Sequence, residues 1–111
     1  MTDKNEFVFV ANFDELKEEI GKKVFVGDDE VALFKVKGEI YALGNVCPHQ
    51  HASIIFQGFI QEECVVCPAH GWEFNLKTGK RKFGNKGLEV YEVRIKEHKI
   101  FVRIKQKNSS W

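Results

Sequence analysis

Several things that would point to other kinds of protein are missing or scarce in this chain. No apolar run approaches the roughly 20 residues that a membrane-spanning helix needs. Neither charge sign is in excess. With 17 Lys and Arg against 16 Asp and Glu, the balance offers no electrostatic reason to expect nucleic acid or an anionic membrane as a partner. The opening segment MTDKNEFVFV carries acidic residues and too short an apolar stretch for a secretory signal, so a soluble, cytoplasmic protein is expected. No Gly-rich nucleotide loop, flavin motif, internal repeat, low-complexity tract or linker is found. Proline is reduced to two residues and cysteine to three. What remains is 111 residues, 43% of them hydrophobic and ten of them Phe, which suits one domain with a modest packed core and not a disordered chain. That domain is expected over residues 1–105, with 106–111 as a loose tail.

Period-two patterning predicts mostly strands. Phe7–Ala11, Val24–Val26, Glu30–Val36 and Ile40–Leu43 read as strands, with Lys37-Gly38 as the tight turn between the last two. A terminal hairpin runs from Leu88 to Lys96, turns near Glu97-His98 and returns from Lys99 to Lys105. One short helix is expected over Asn12–Gly21, where Asn12 or Asp14 could cap it, Phe13, Leu16 and Ile20 share a face, and Gly21 could end it. Many short strands and little helix argue for an all-β sandwich or barrel.

Both prolines follow a cysteine, in Cys47-Pro48-His49 and Cys67-Pro68-Ala69-His70, and 17 residues separate His49 from Cys67. Each segment pairs one thiol with one imidazole, and two cysteines plus two histidines form a donor set that iron and zinc both accept. The order is interleaved, so two separate loops must meet over one site, whereas structural zinc sites more often present C-x₂₋₄-C and H-x₃₋₅-H pairs. The fixed φ and missing N–H of Pro48 and Pro68 suit tight loops.

At these two segments the chain resembles the Rieske family, whose pattern is C-x-H, a gap of about this length, then C-x-x-H, and the resemblance runs from about Val31 to Val102. It implies one [2Fe–2S] cluster, with Cys47 and Cys67 on one iron and His49 and His70 on the other through one ring nitrogen each, in this family Nδ1. It also implies the family's fold, an antiparallel β sandwich or barrel with a small cluster-binding subdomain of two loops, here with one short N-terminal helix. Respiratory-chain members of the family tie the two loops with a disulfide. The equivalent positions here are Ala52 and Ala69. High-potential members place hydroxyl groups where this chain has Trp72 and Phe74. Fewer donors toward sulfur leave the reduced centre less stabilised, so a potential at the low end of the class is expected.

The implied function is that of a one-electron carrier, not an enzyme, taking electrons from a ferredoxin reductase and passing them to a terminal oxygenase or another acceptor. A monomer is expected, docking transiently at the cluster tip over a rim of Pro48, Pro68 and either Trp72 or Ile54. The alternatives are a small subunit of a nitrite-reductase-like complex, a cluster-based regulatory module and a zinc-stabilised binding domain. No catalytic residue is expected. Cys64 has no disulfide partner if Cys47 and Cys67 carry iron, which fits a reducing compartment, and it reads as a small buried hydrophobe. His51 and His98 read as surface residues, Gln50 and Ser53 as local backbone support, and Trp72 as core.

Overall fold

The computed structural model describes residues 6–49 and 51–105. The expected tail over 106–111, and Gln50, lie outside the described residues. Four strands open the chain: β1 (Phe7–Asn12), β2 (Lys22–Val26), β3 (Asp29–Val36) and β4 (Glu39–Gly44). Five short strands follow: β5 (Val46–Cys47), β6 (Ala52–Ser53), β7 (Phe59–Gln61), β8 (Cys64–Val66) and β9 (Glu73–Asn75). The end of the fold is β10 (Val90–Tyr91), β11 (Val93–Lys96) and β12 (Lys99–Arg103). They form antiparallel sheets ordered β1-β12-β11, β10-β4-β3-β2, β5-β6 and β7-β8-β9, an all-β architecture as expected.

The four-stranded sheet is the middle layer. Val31-Ala32-Leu33-Phe34 on β3 is an unbroken apolar run in which all four residues are buried, the pattern of a strand covered on both faces. Val31 and Leu33 face one core with Val24, Val26, Ile100 and Val102, beneath the β1-β12-β11 sheet. Ala32 and Phe34 face a second core with Ile55, Val65, Phe74 and Leu76, which belongs to the small subdomain of β5 to β9. Cys47 and Cys67 are members of that second core.

The helix expected over Asn12–Gly21 is a single 3₁₀ turn, Phe13–Glu15. The Glu15 carboxylate accepts from both the backbone and the side-chain N–H of Asn12, at 3.0 Å each, so the cap is real. The chain then leaves helical space at Leu16, whose ψ is 134° and whose side chain enters the first core. Glu18 bridges to Lys35, and its carboxylate takes the N–H groups of Lys37 (2.7 Å) and Gly38 (3.0 Å). Ile20 is left exposed, and Gly21 passes too close to Phe34 and Phe56 for any side chain. Tertiary contacts override the helical spacing. The terminal hairpin also differs: Val90-Tyr91 pairs with β4, Val93–Lys96 pairs with β12, and the strand breaks at Glu92. Ile95, on β11, is exposed. The turns at Glu62-Glu63 and Glu97-His98 hold two successive residues at positive φ, the twist that two-residue hairpins favour.

Carboxyl pKa values are held below the ordinary carboxylate range at Glu15 through Asn12, at Glu18 through the N–H groups of Gly38 and Lys37, and at Glu30 through Asn45 and Ser53. A carboxyl depressed in the folded state stabilises it above the unfolded-state pKa, and that contribution is lost as pH falls through the folded value. Stability should therefore decline on acidification. Glu18→Gln should be less stable at neutral pH and show a shallower decline, as read from urea midpoints across an acid series. An unchanged slope would contradict this origin.

Candidate metal centre

The first metal loop leaves β4 at Gly44 and is anchored at its root by Asn45, which is fully buried. The Asn45 side chain donates to Glu30 on β3 (3.2 Å) and accepts from the Phe56 N–H (2.8 Å) at the far end of the loop. Its backbone N–H donates to the Glu30 carbonyl, and its carbonyl accepts from Ile55. Both ends of the loop are thus pinned to the middle sheet. Nothing in the local sequence marks Asn45 for this role beyond its position after a strand. The second loop springs from β8 and is closed at its base by the Cys67 N–H on the Trp72 carbonyl, 2.8 Å.

The two loops repeat one local device. In the first, the His51 N–H donates to the Cys47 carbonyl (2.6 Å); in the second, the Gly71 N–H donates to the Cys67 carbonyl (2.9 Å). The donor sits four residues after the cysteine each time, and each donor has a left-handed φ, 58° at His51 and 77° at Gly71. His51 therefore occupies the backbone position that Gly71 fills in the other loop. Its side chain is exposed, in keeping with the surface reading.

The side chains sort by burial. Cys47 and Cys67 are buried, and their sulfurs are in hydrogen-bond contact with each other. Burial pushes the Cys67 thiol pKa up, the Cys47 thiol adds to this, and the N–H groups of Ala69 and His70, which donate to the Cys67 sulfur, pull it down. His49 and His70 are exposed, and their rings meet edge to face with centroids 4.5 Å apart. Partial desolvation by the groups packed beside it, then the charges of His70, Arg81 and Lys86, hold the His49 pKa below the ordinary imidazole value. That favours the neutral ring a metal requires.

Trp72 fills two roles. It packs against the second core, as the sequence led one to expect, and its ring also stacks on His49, 4.3 Å between centroids at 17°. On its other side lies the Arg81 guanidinium, 3.4 Å from the ring centroid. The layers Arg81, Trp72 and His49 brace one imidazole from behind, at roughly 0.5–1.5 kcal/mol for each aromatic contact. Arg81 lies in the run Lys80-Arg81-Lys82, which carries no sequence signal for such a placement. Cys64 lies on β8, partly buried, its thiol pKa raised by burial, the state of an inert structural thiol.

Cys47 and Cys67 meet as one pair, and His49 and His70 as another. Among the described residues, no three His, Cys, Asp or Glu side chains gather around a single ion position. Two paired sets fit a two-iron unit with thiolates at the buried end and imidazoles at the exposed end. These features suit an iron–sulfur protein with mixed sulfur and nitrogen donors. A family model for the Rieske-like [2Fe-2S] domain matches residues 6–103, so the chain belongs to that family and carries one [2Fe–2S] cluster.

Its relatives differ in size. Human apoptosis-inducing factor 3 is 37% identical over 84 residues, which is 74% of this chain but only 14% of that protein. The ferredoxin component of the naphthalene 1,2-dioxygenase/salicylate 5-hydroxylase systems of a Ralstonia species is 31% identical over 100 residues, 88% of this chain and 95% of the relative. A Mycobacterium tuberculosis structure described as an NADH-dependent nitrite reductase small subunit superposes with a TM-score of 0.88 at 26% identity, over 95% of this chain and all of the other. No helix among the described residues is long and apolar enough to cross a membrane.

A Cβ added at Gly71 would meet no atom within 4 Å, so only its left-handed backbone resists substitution. Gly71→Ala should cost about 1–2 kcal/mol, and His51→Gly should be neutral or stabilising by up to about 1 kcal/mol. Urea unfolding of the cluster-loaded variants checks both. A stabilising Gly71→Ala would contradict the shared loop geometry.

Proposed function

We propose that Cys47 and Cys67 hold one iron of the cluster and His49 and His70 the other. We further propose that the protein carries single electrons from a ferredoxin reductase to a partner such as a ring-hydroxylating oxygenase. The observation that carries this reading is the separation of donors, with both thiols in the second core and both imidazoles exposed at the loop tips. The cluster, when bound, accepts and releases one electron. The residues around it set the conditions. The second core excludes water from the sulfur end, the N–H groups of Ala69 and His70 donate to the Cys67 sulfur, and Trp72 with Arg81 fixes the plane of the His49 ring. Each imidazole has one nitrogen for iron and keeps a proton on the other, presented at the surface that a docking protein meets first.

The likeness to the Ralstonia ferredoxin component, 95% of whose length is matched, favours a small free carrier with transient contacts. A second reading, a small subunit held in a nitrite-reductase-like complex, is favoured by the superposition at a TM-score of 0.88. Purification with a larger reductase in equal amounts would select it. The reading also takes the chain as a monomer of one domain over 1–105, in a reducing, cytoplasmic compartment that the free thiol of Cys64 suits.

The centre should have a low potential for its class. Cys47, Cys64 and Cys67 are all free, so no disulfide ties the loops, and the positions of Trp72 and Phe74 offer no hydroxyl to sulfur. Rieske centres span roughly −150 to +300 mV, and the lower end is expected in a redox titration followed by EPR. A potential in the upper half would contradict the account. His70→Ala should lose or convert the cluster and destabilise the fold, because metal binding and folding are linked. Cys64→Ala should keep both irons. Iron and acid-labile sulfide analysis separates these outcomes.

A further inference from the structure

Charge is balanced over the whole sequence but not over the surface. Between Lys77 and Lys86 lie five of the chain's 17 Lys and Arg residues and no Asp or Glu, leaving 12 bases against 16 acids elsewhere. The fold carries this stretch to the metal loops. After β9 the chain turns through Lys77-Thr78-Gly79 and runs back along β9, with Arg81 bridged to Phe74 and the Lys82 N–H on the Glu73 carbonyl (2.9 Å). It then bulges outward through 82–85 and closes with the Arg81 N–H on the Lys86 carbonyl (3.2 Å). Arg81 is thereby set against Trp72, which stacks on His49. Phe83, at the crest of the bulge, is 71% exposed. Among the described residues, Glu73 pairs with Lys82 here at 3.8 Å, a surface pair of small energetic weight.

An exposed aromatic with Lys82 beside it, on a basic loop that reaches His49 through Arg81 and Trp72, has the make-up of a transient docking site, an apolar anchor within a charged rim. We propose that the 77–86 loop docks an acidic redox protein, whose carboxylates meet Arg81, Lys82 and Lys86 while an apolar site receives Phe83, bringing its redox edge against His49 and His70. This deepens the electron-carrier reading and rests on it. With basic residues gathered at the tip and an acidic excess elsewhere, the field orients the encounter as well as accelerating it.

The test uses the cluster-loaded protein, reduced and mixed by stopped flow with two haem-protein probes, acidic cytochrome b5 and basic cytochrome c. The proposal expects the cytochrome b5 rate to fall steeply with salt, by about tenfold or more between low and physiological ionic strength. Lys82→Glu/Lys86→Glu should slow cytochrome b5 about tenfold and speed cytochrome c, with the EPR signal unchanged. Phe83→Ala should slow cytochrome b5 without altering its salt slope. Equal rates with both probes, unaffected by salt and by the double charge reversal, overturn the docking surface and leave the carrier function standing. Exchange with neither probe overturns both. Binding to phosphatidylserine vesicles or duplex DNA at physiological salt, lost in the charge-reversed variant while the cytochrome b5 rate stays put, overturns it in favour of a polyanion ligand.

Discussion

The two thiols proposed to hold iron are built into a hydrophobic core, and the rest of the arrangement depends on that burial. Cys47 and Cys67 pack with Phe74, Ile55 and Phe34, so the two loops that bear them are fixed at their bases by the same contacts that join the subdomain to the middle sheet. A thiol in such surroundings resists ionisation unless a cation takes the place of its proton. The imidazoles, two and three residues further along their loops, are carried outward to solvent. Burial at one end and exposure at the other give the site a direction.

That direction rests on a strand with two dry faces. β3 alternates its apolar residues between the sandwich core and the subdomain core, so displacing Phe34 or Leu33 would disturb one side without directly touching the other. Asn45 links the layers on the polar side. It satisfies backbone and side-chain groups at both ends of the first loop, where an unmet hydrogen bond would be expensive. The loops are positioned by packing below and hydrogen bonds at the root, with the Arg81, Trp72 and His49 stack steadying one tip.

The parts legible in the sequence were those with short-range causes. The two Cys-Pro segments stand out as the loops where the thiols and imidazoles pair, the two-residue period declared the strands, and Lys37-Gly38 and Glu97-His98 declared their turns. The strand over Glu30–Val36 was legible, but its burial on both faces shows only in the packing. Long-range causes stayed hidden. The spacing of Phe13, Leu16 and Ile20 mimics a helix, but Glu18 is captured by a turn 19 residues away, and no local pattern reports that. The break at Glu92, which sends β10 and β11 into different sheets, is likewise a tertiary event. His51 read as a surface residue, and its side chain is one; the left-handed backbone that it shares with Gly71 shows only in three dimensions. Arg81 was one cation among several until the chain's return path placed it on Trp72, and a near-zero net charge concealed the basic tip for the same reason.

The most direct test of the central claim is nitrogen hyperfine spectroscopy on the reduced, cluster-loaded protein. Asymmetric ligation predicts a rhombic signal with strong couplings to two inequivalent imidazole nitrogens. A reduced cluster without strongly coupled nitrogen would mean that His49 and His70 do not hold iron, and would contradict the account.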